Sequence, residues 1–264
     1  MRYPYIPIGL VTFEPVRRES RRPTTAEMCG TLPAALYKVL PATYARALVE
    51  RGEMMWSTLT FFQNELDPTR GDPHEGSHRY FPVSGLEVTR HERNGRPDHA
   101  QLTLSGHGSQ IKAFKCQHIF IYSTTLDPNL AIGEAASRTC VEIFDPELVF
   151  LRIARAVAAH PKARVDRLIH GEVRYWSPED PPGAIWAFPH LLTMHKHKSH
   201  ANDREYRFAF GTRADVFDFE NVFGLVVPPG YTFPRIELDP QVHRMKLQVG
   251  NLADCCRLRS EPAE

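Results

Sequence analysis

The 264-residue chain carries 22 prolines and 16 glycines. Proline removes a backbone donor and breaks helix interiors, and glycine weakens helices and strands alike. So many breakers exclude a bundle of long helices and divide the chain into many short elements. A 42% apolar fraction and 24% charged fraction suit a globular chain of this length, which can bury a sizeable core. The formal net charge of +1 argues neither for nor against a nucleic-acid partner.

Residue pattern places the elements. ALYKVL (35–40) reads as a buried strand, and Pro41 opens a helix over ATYARALVE, which Gly52 stops. EMMWSTLTFF (53–62) reads as a strand. Residues 63–85 read as a polar loop. Further strands are expected at 100–106, 116–124 and 139–144. Asp145 and Pro146 then cap a helix whose inner stripe is Leu148, Leu151, Ile153, Ala154 and Val157. ARVDRLIHGEVRYW (163–176) suggests one strand or a hairpin. REYRFAFG (204–211) alternates about Tyr206, Phe208 and Phe210, as a strand does. NVFGLVV and HRMKLQV read as two more. The expected fold is α+β: an N-terminal arm over 1–33, then one domain over 34–264. Its sheet is strand-rich, largely antiparallel and split, with a few flanking helices.

Five scattered cysteines with no CxxC pair point to reduced thiols. No secretion signal or apolar span is evident, so a cytoplasmic protein is expected, away from membranes. RRESRRP (17–23) reads as a solvated basic leader, or as an arm touching phosphates.

The run NELDPTRGDPHEG (64–76) concentrates Glu65, Asp67, Asp72 and Glu75 with Arg70 and His74. In one reading Asp72 or Glu75 stands at a cleft mouth while Arg70 binds a phosphate or carboxylate bidentately. In a second, Asp67, Asp72 and Glu75 hold Mg²⁺ or Ca²⁺ through oxygen, without the EF-hand spacing. In a third the run is a fixed turn: Asp72 accepts backbone N–H bonds, Arg70 pairs with Glu75, and Gly71 and Gly76 supply positive φ. MHKHKSH (194–200) groups His195, His197 and His200. Lys196 and Lys198 make it a poor metal site, so an exposed or phosphate-meeting loop is expected. Glu205 shares a strand face with Arg207, and an ion pair between them is the plain reading.

Several stretches in order resemble a bacterial family known as domain of unknown function 2971: LYKVL (36–40), GDPHE (71–75), IYSTTLD (121–127), VEIFDPE (141–147) and DREYR (203–207). The resemblance covers roughly 33–230. It departs at AIGEAAS (131–137), where that family has a Met-Trp-x-x-Tyr segment. The layout also resembles, more distantly, the ADP-ribosyltransferase fold. That resemblance puts Lys38 in the first-strand position, Trp56-Ser57-Thr58 in the second-strand position and Glu205 in the late-strand carboxylate position.

The resemblance implies an enzyme using NAD as substrate, by glycohydrolysis or ADP-ribosyl transfer, in toxin or phage-conflict biology. Glu205 would stabilise an oxocarbenium-like state, Ser57 would support it, and Lys38 would meet a phosphate or ribose. Tyr37, Trp56, Thr58, Arg70, Asp72, Glu75 and Arg207 would line the substrate. Two other expectations remain open: a Mg²⁺-dependent nuclease or phosphodiesterase built on the 65–75 carboxylates, and a non-catalytic module binding a nucleotide or nucleic acid. A protein or nucleic-acid target and the oligomeric state are left open.

Overall fold

The computed structural model describes residues 28–67, 70–91, 97–129, 138–181, 188–218, 221–228, 230–231, 239 and 242–259. The basic run at 17–23 and the AIGEAAS segment lie outside the described residues. In chain order the elements begin β1 (Leu36–Pro41), α1 (Ala42–Arg51), β2 (Glu53–Thr58), α2 (Leu59–Asn64), β3 (Ser77–Tyr80), β4 (Leu86–His91), β5 (Pro97–Leu104) and β6 (Gly108–Ala113). Next come β7 (Ile119–Thr125), β8 (Arg138–Ile143), α3 (Pro146–Ala159), β9 (Arg164–Glu172) and β10 (Arg174–Trp176). The last are α4 (Pro189–Thr193), β11 (His195–His197), β12 (Glu205–Gly211), β13 (Val222–Val227), β14 (Arg244–Gln248) and β15 (Cys256–Leu258). The fold is α+β and mainly antiparallel, as the breaker-rich sequence implies.

Local chemistry sets the boundaries. The Asp145 side chain accepts from the Leu148 N–H at 2.9 Å, and Pro146 opens α3 where no donor is needed. Gly52 ends α1 at φ 63°, and a Cβ there would stand 2.0 Å from the Gly250 carbonyl oxygen. Two expectations need correction. The 53–62 strand stops at Thr58, whose hydroxyl accepts from the Phe61 N–H and turns the chain into α2. The buried face of α3 is Pro146, Val149, Ile153 and Val157, while Leu151 is exposed; both stripes satisfy the 3.6-residue period, and packing selects one.

The main sheet has eight strands and forks at β7. Along one edge β7 pairs with the whole of β12, which pairs in turn with β9. On the other edge β2 pairs with Phe120 and Ile121, and β1 only with Thr125. β14 extends the β2 branch, while β8 and β15 extend the β1 branch. The split therefore opens at Tyr122–Thr124. Smaller sheets are β13–β6–β3, the β4–β5 hairpin and the parallel pair β10–β11. β9 and β10 thus go to different sheets rather than forming a hairpin.

The two faces of the sheet bury separate cores. Tyr206, Phe208 and Phe210 join Trp56, Tyr122, Leu36 and the α3 stripe on one face. Ala209, Ile119, Ile121 and Leu59 belong to the other. β12 is buried along its whole length, so the charged residues in it need internal partners.

Candidate functional site

Glu205 and Arg207 alternate with the aromatic residues of β12 and lie on the face opposite them. Both are buried. Arg207 Nε donates to Glu205 Oε1 at 2.6 Å, Nη1 donates to Glu75 Oε1 at 2.5 Å and to the Thr193 carbonyl at 2.7 Å, and Nη2 donates to Glu75 Oε2 at 2.9 Å and Glu205 Oε2 at 3.2 Å. A guanidinium has five N–H bonds to give, and Arg207 uses all five. It organises the interior and has no donor left for a ligand, which corrects its expected substrate-binding role.

Glu205 is held almost as fully. Its Oε2 also accepts from Lys196 Nζ at 3.1 Å, and the Ser123 hydroxyl donates to the carboxylate. Burial works to raise its pKa, but Arg207 and Lys196 outweigh it and hold the carboxyl well below the usual range. Lys196 reaches Asp203 as well, at 2.9 Å. Burial would lower the Lys196 ammonium, yet Glu205 overcomes this and raises it above its ordinary value.

Lys38 closes the split. Its ammonium donates to the Ser123 carbonyl and lies 4.8 Å from the Tyr122 ring centroid. Desolvation brings it down to about 8; Glu205 resists, while Arg70 and Lys196 push the same way as burial. Lys38 and Glu205 therefore do come together, on strands that both pair with Thr125. Ser57 does not join them. It lies on the other branch of the fork opposite Ile121, and Ser123 takes the place expected of it. Trp56 is sealed in the core against Tyr122 and Phe210. Thr58 is buried as the α2 cap, with its hydroxyl 2.9 Å from His243 Nδ1. Neither is available to stack on or bind a ligand. Tyr37 is half-buried, with the Arg259 guanidinium 5.5 Å from its ring centroid.

Residues 70–76 form an ordered turn pinned between α2 and β12. The Asp72 N–H donates to the Phe62 carbonyl at 3.0 Å, and Gln63 Nε2 donates to the Glu75 carbonyl at 2.6 Å. Asp72 Oδ1 accepts from the His74 N–H at 2.8 Å, as the turn reading expected. Gly76 has φ 64°. Gly71 is needed for close approach instead, since a Cβ would meet the Glu65 carbonyl oxygen at 2.3 Å. Glu75 pairs with Arg207 rather than Arg70, which is exposed. This commitment of both Glu75 oxygens also counts against a metal loop of Asp67, Asp72 and Glu75. Among the described residues no three His, Cys, Asp or Glu side chains group to hold a metal ion.

Next to this turn is a cleft of about 340 Å³ lined by His74, Arg79, Phe81, Trp176, Pro178, His197 and Gly230. Trp176 is the buried floor. His78 packs against its ring at 4.8 Å between centroids and His197 meets it edge-on at 4.9 Å. His74 lies 6.0 Å from His197, and the Arg79 guanidinium lies 5.3 Å from the Phe81 ring centroid. Burial lowers His74 to about 4 and also lowers His78 and His197, so the walls are neutral rings at pH 7. Eight buried side-chain polar atoms among the described residues lack a hydrogen-bond partner, and five are at or beside this cleft: Asp72 Oδ2, His74 Nδ1, His78 Nδ1, Arg79 Nε and Trp176 Nε1. Unsatisfied groups cost stability and gather where function overrides packing.

The sequence reading missed His74, Arg79, Phe81, Trp176 and His197 as one group. They come from four places in the chain: the turn at His74, the end of β3 at Arg79 and Phe81, β10 and β11; the parallel β10–β11 pair sets Trp176 opposite His197. All five cysteines are free thiols, and no helix among the described residues is long and apolar enough to cross a membrane. No family model, curated protein or solved structure matches the chain.

Proposed function

We propose that the protein binds a nucleotide in the cleft of His74, Arg79, Phe81, Trp176, Pro178 and His197. The observation that carries this reading is the convergence of neutral aromatic rings, one guanidinium and a cluster of unpaired polar atoms at a single concavity. Rings accept a nucleobase face and an arginine accepts a phosphate. A cavity of about 340 Å³ is near the lower end of ligand pockets, roughly 300–1,000 Å³. It suits one nucleotide unit, either a mononucleotide or one half of NAD. Thermal unfolding in the presence of AMP, NAD or orthophosphate tests it. AMP and NAD raise the transition temperature and orthophosphate alone does so less. Equal shifts with all three would mean simple anion binding.

A second reading, cleavage of NAD in the manner of an ADP-ribosyltransferase, draws on the meeting of Lys38 and Glu205 across Thr125. Arg207 and Lys196 hold the Glu205 carboxyl well below the usual range, and a carboxylate suits stabilisation of a cationic sugar. Its contacts with Arg207, Lys196 and Ser123 must loosen for a ribose to reach it. Proton NMR of NAD with the wild type and Glu205→Gln tests this: nicotinamide release confined to the wild type supports it, and no release with any acceptor counts against it.

A further inference from the structure

We infer that a site separate from the cleft takes a diphosphate group, in the groove between α3 and the turn that follows β14. The groove has a volume of about 450 Å³. Arg152, Arg155 and Ala156 of α3 form one wall, and Gln248 of β14 with Val249, Gly250 and Asn251 of the turn forms the other. None of these residues lines the cleft of Trp176.

The two walls are fastened to each other and to the body of the fold. Arg152 Nη1 donates to the Asn251 carbonyl and Nη2 to Asp254 Oδ2, which ties α3 to the turn. The Val249 N–H donates to the Gly52 carbonyl at 3.0 Å and the Leu252 N–H to the Val49 carbonyl at 2.8 Å, which ties the turn to the end of α1. Gly250, between those two bonds, has φ 83° and nothing within 4 Å of the place a Cβ would take. Glycine is needed there for its left-handed backbone and not for space. A groove held at both walls keeps its shape without a ligand, so little ordering cost falls on binding.

The polar side chains of the groove with bonds left to make are donors. Arg155 is exposed and enters no hydrogen bond or ion pair among the described residues. The Gln248 carboxamide is exposed and likewise unpaired among them. Asn251 Oδ1 accepts from the Ala253 N–H at 2.9 Å, and its Nδ2 remains to donate. No acidic residue lines the groove. The carboxylates beside it are engaged elsewhere: Glu53, opposite Gln248 in register, with Arg51 and Lys246, and Asp254 with Arg152. One free guanidinium and two carboxamides, with no competing carboxylate, select an anion, and a guanidinium fork matches phosphate oxygens. A single phosphate fills a small part of 450 Å³ and meets one wall. Two linked phosphates meet Arg155 on α3 and the carboxamides of Gln248 and Asn251 opposite. Inorganic pyrophosphate and the tail of a nucleoside diphosphate share this chemistry.

The test is calorimetric titration of pyrophosphate, orthophosphate and ADP into the full chain, with Arg79→Ala used to disable the cleft. Pyrophosphate binds the wild type and Arg79→Ala alike. Arg155→Ala weakens that binding by about tenfold or more. Asn251→Asp keeps the oxygen that the Ala253 N–H needs, places a negative charge in the groove and weakens binding as well. Both residues are exposed, so both variants fold, as thermal unfolding verifies. Orthophosphate binds Arg79→Ala at least about tenfold more weakly than pyrophosphate, for want of the second wall. ADP binding Arg79→Ala as tightly as pyrophosphate makes a nucleotide tail the source, and pyrophosphate binding alone makes it the inorganic ion; either supports the site. Absence of pyrophosphate binding, or binding indifferent to both Arg155→Ala and Asn251→Asp, overturns it. Orthophosphate binding as tightly as pyrophosphate overturns the diphosphate assignment. Failure of AMP to bind overturns the cleft reading and leaves the groove untouched.

Discussion

Arg207 and Glu75, 132 residues apart in the chain, meet in a two-pronged ion pair of 2.5 and 2.9 Å with both side chains buried. This contact fastens the 70–76 turn to β12 and so sets where Asp72 and His74 stand. Removing one partner leaves the other charged and buried, at a cost of about 3–5 kcal/mol. Glu75→Ala should lose stability on that scale in urea unfolding. A loss under about 1 kcal/mol would mean that the pair does not hold the turn.

Stability should fall steeply with acid. His170, His190 and His195 are buried and each is pushed down to about 4 by desolvation. An unfolded histidine titrates near 6.5. Their folded pKa values are depressed, so the stability they contribute is full above about pH 6.5 and is lost as pH falls toward 4. Each adds about 1.4 kcal/mol per pH unit across that window. Urea midpoints between pH 7 and 4 check this, and His190→Gln should lower the slope by about one proton. An unchanged slope would place the proton uptake elsewhere.

Lys38 should be the more reactive amine at mildly basic pH. Its pKa is near 8, and Lys246, half-exposed and paired with Glu53, serves as the comparison. At pH 8 an amine-acylating reagent should label Lys38 faster, as read by peptide mass spectrometry, with the ratio narrowing at pH 10. Glu205→Gln removes the charge that raises Lys38 and should speed its labelling further. Equal rates at pH 8 would show that the Lys38 ammonium is not desolvated.

Much of the fold was legible because it rests on local signals. Asp145-Pro146 announces α3, Gly52 ends α1, and the Tyr206–Phe208–Phe210 alternation marks β12. Thr58 escaped notice because a β-rich run hides a cap that only tertiary packing selects. Within the site, Glu205 and Arg207 were legible as charged residues two apart in an apolar strand. Their partners were not, since Glu75, Thr193, Lys196 and Ser123 arrive from other elements. Ser57 was a reasonable choice on strand order, but the fork at β7 carries β2 away from the β1 branch, a topological fact that spacing does not encode. The cleft was hidden for the same reason, being made where β3, β10 and β11 meet.

The most direct test of the central claim is a calorimetric titration of AMP into the wild type and into Arg79→Ala and His74→Ala. The account predicts saturable one-to-one binding that weakens by about tenfold or more when the guanidinium is lost, and that weakens also when the imidazole wall is lost. Binding that is absent in the wild type, or indifferent to both substitutions, would contradict a nucleotide site in this cleft.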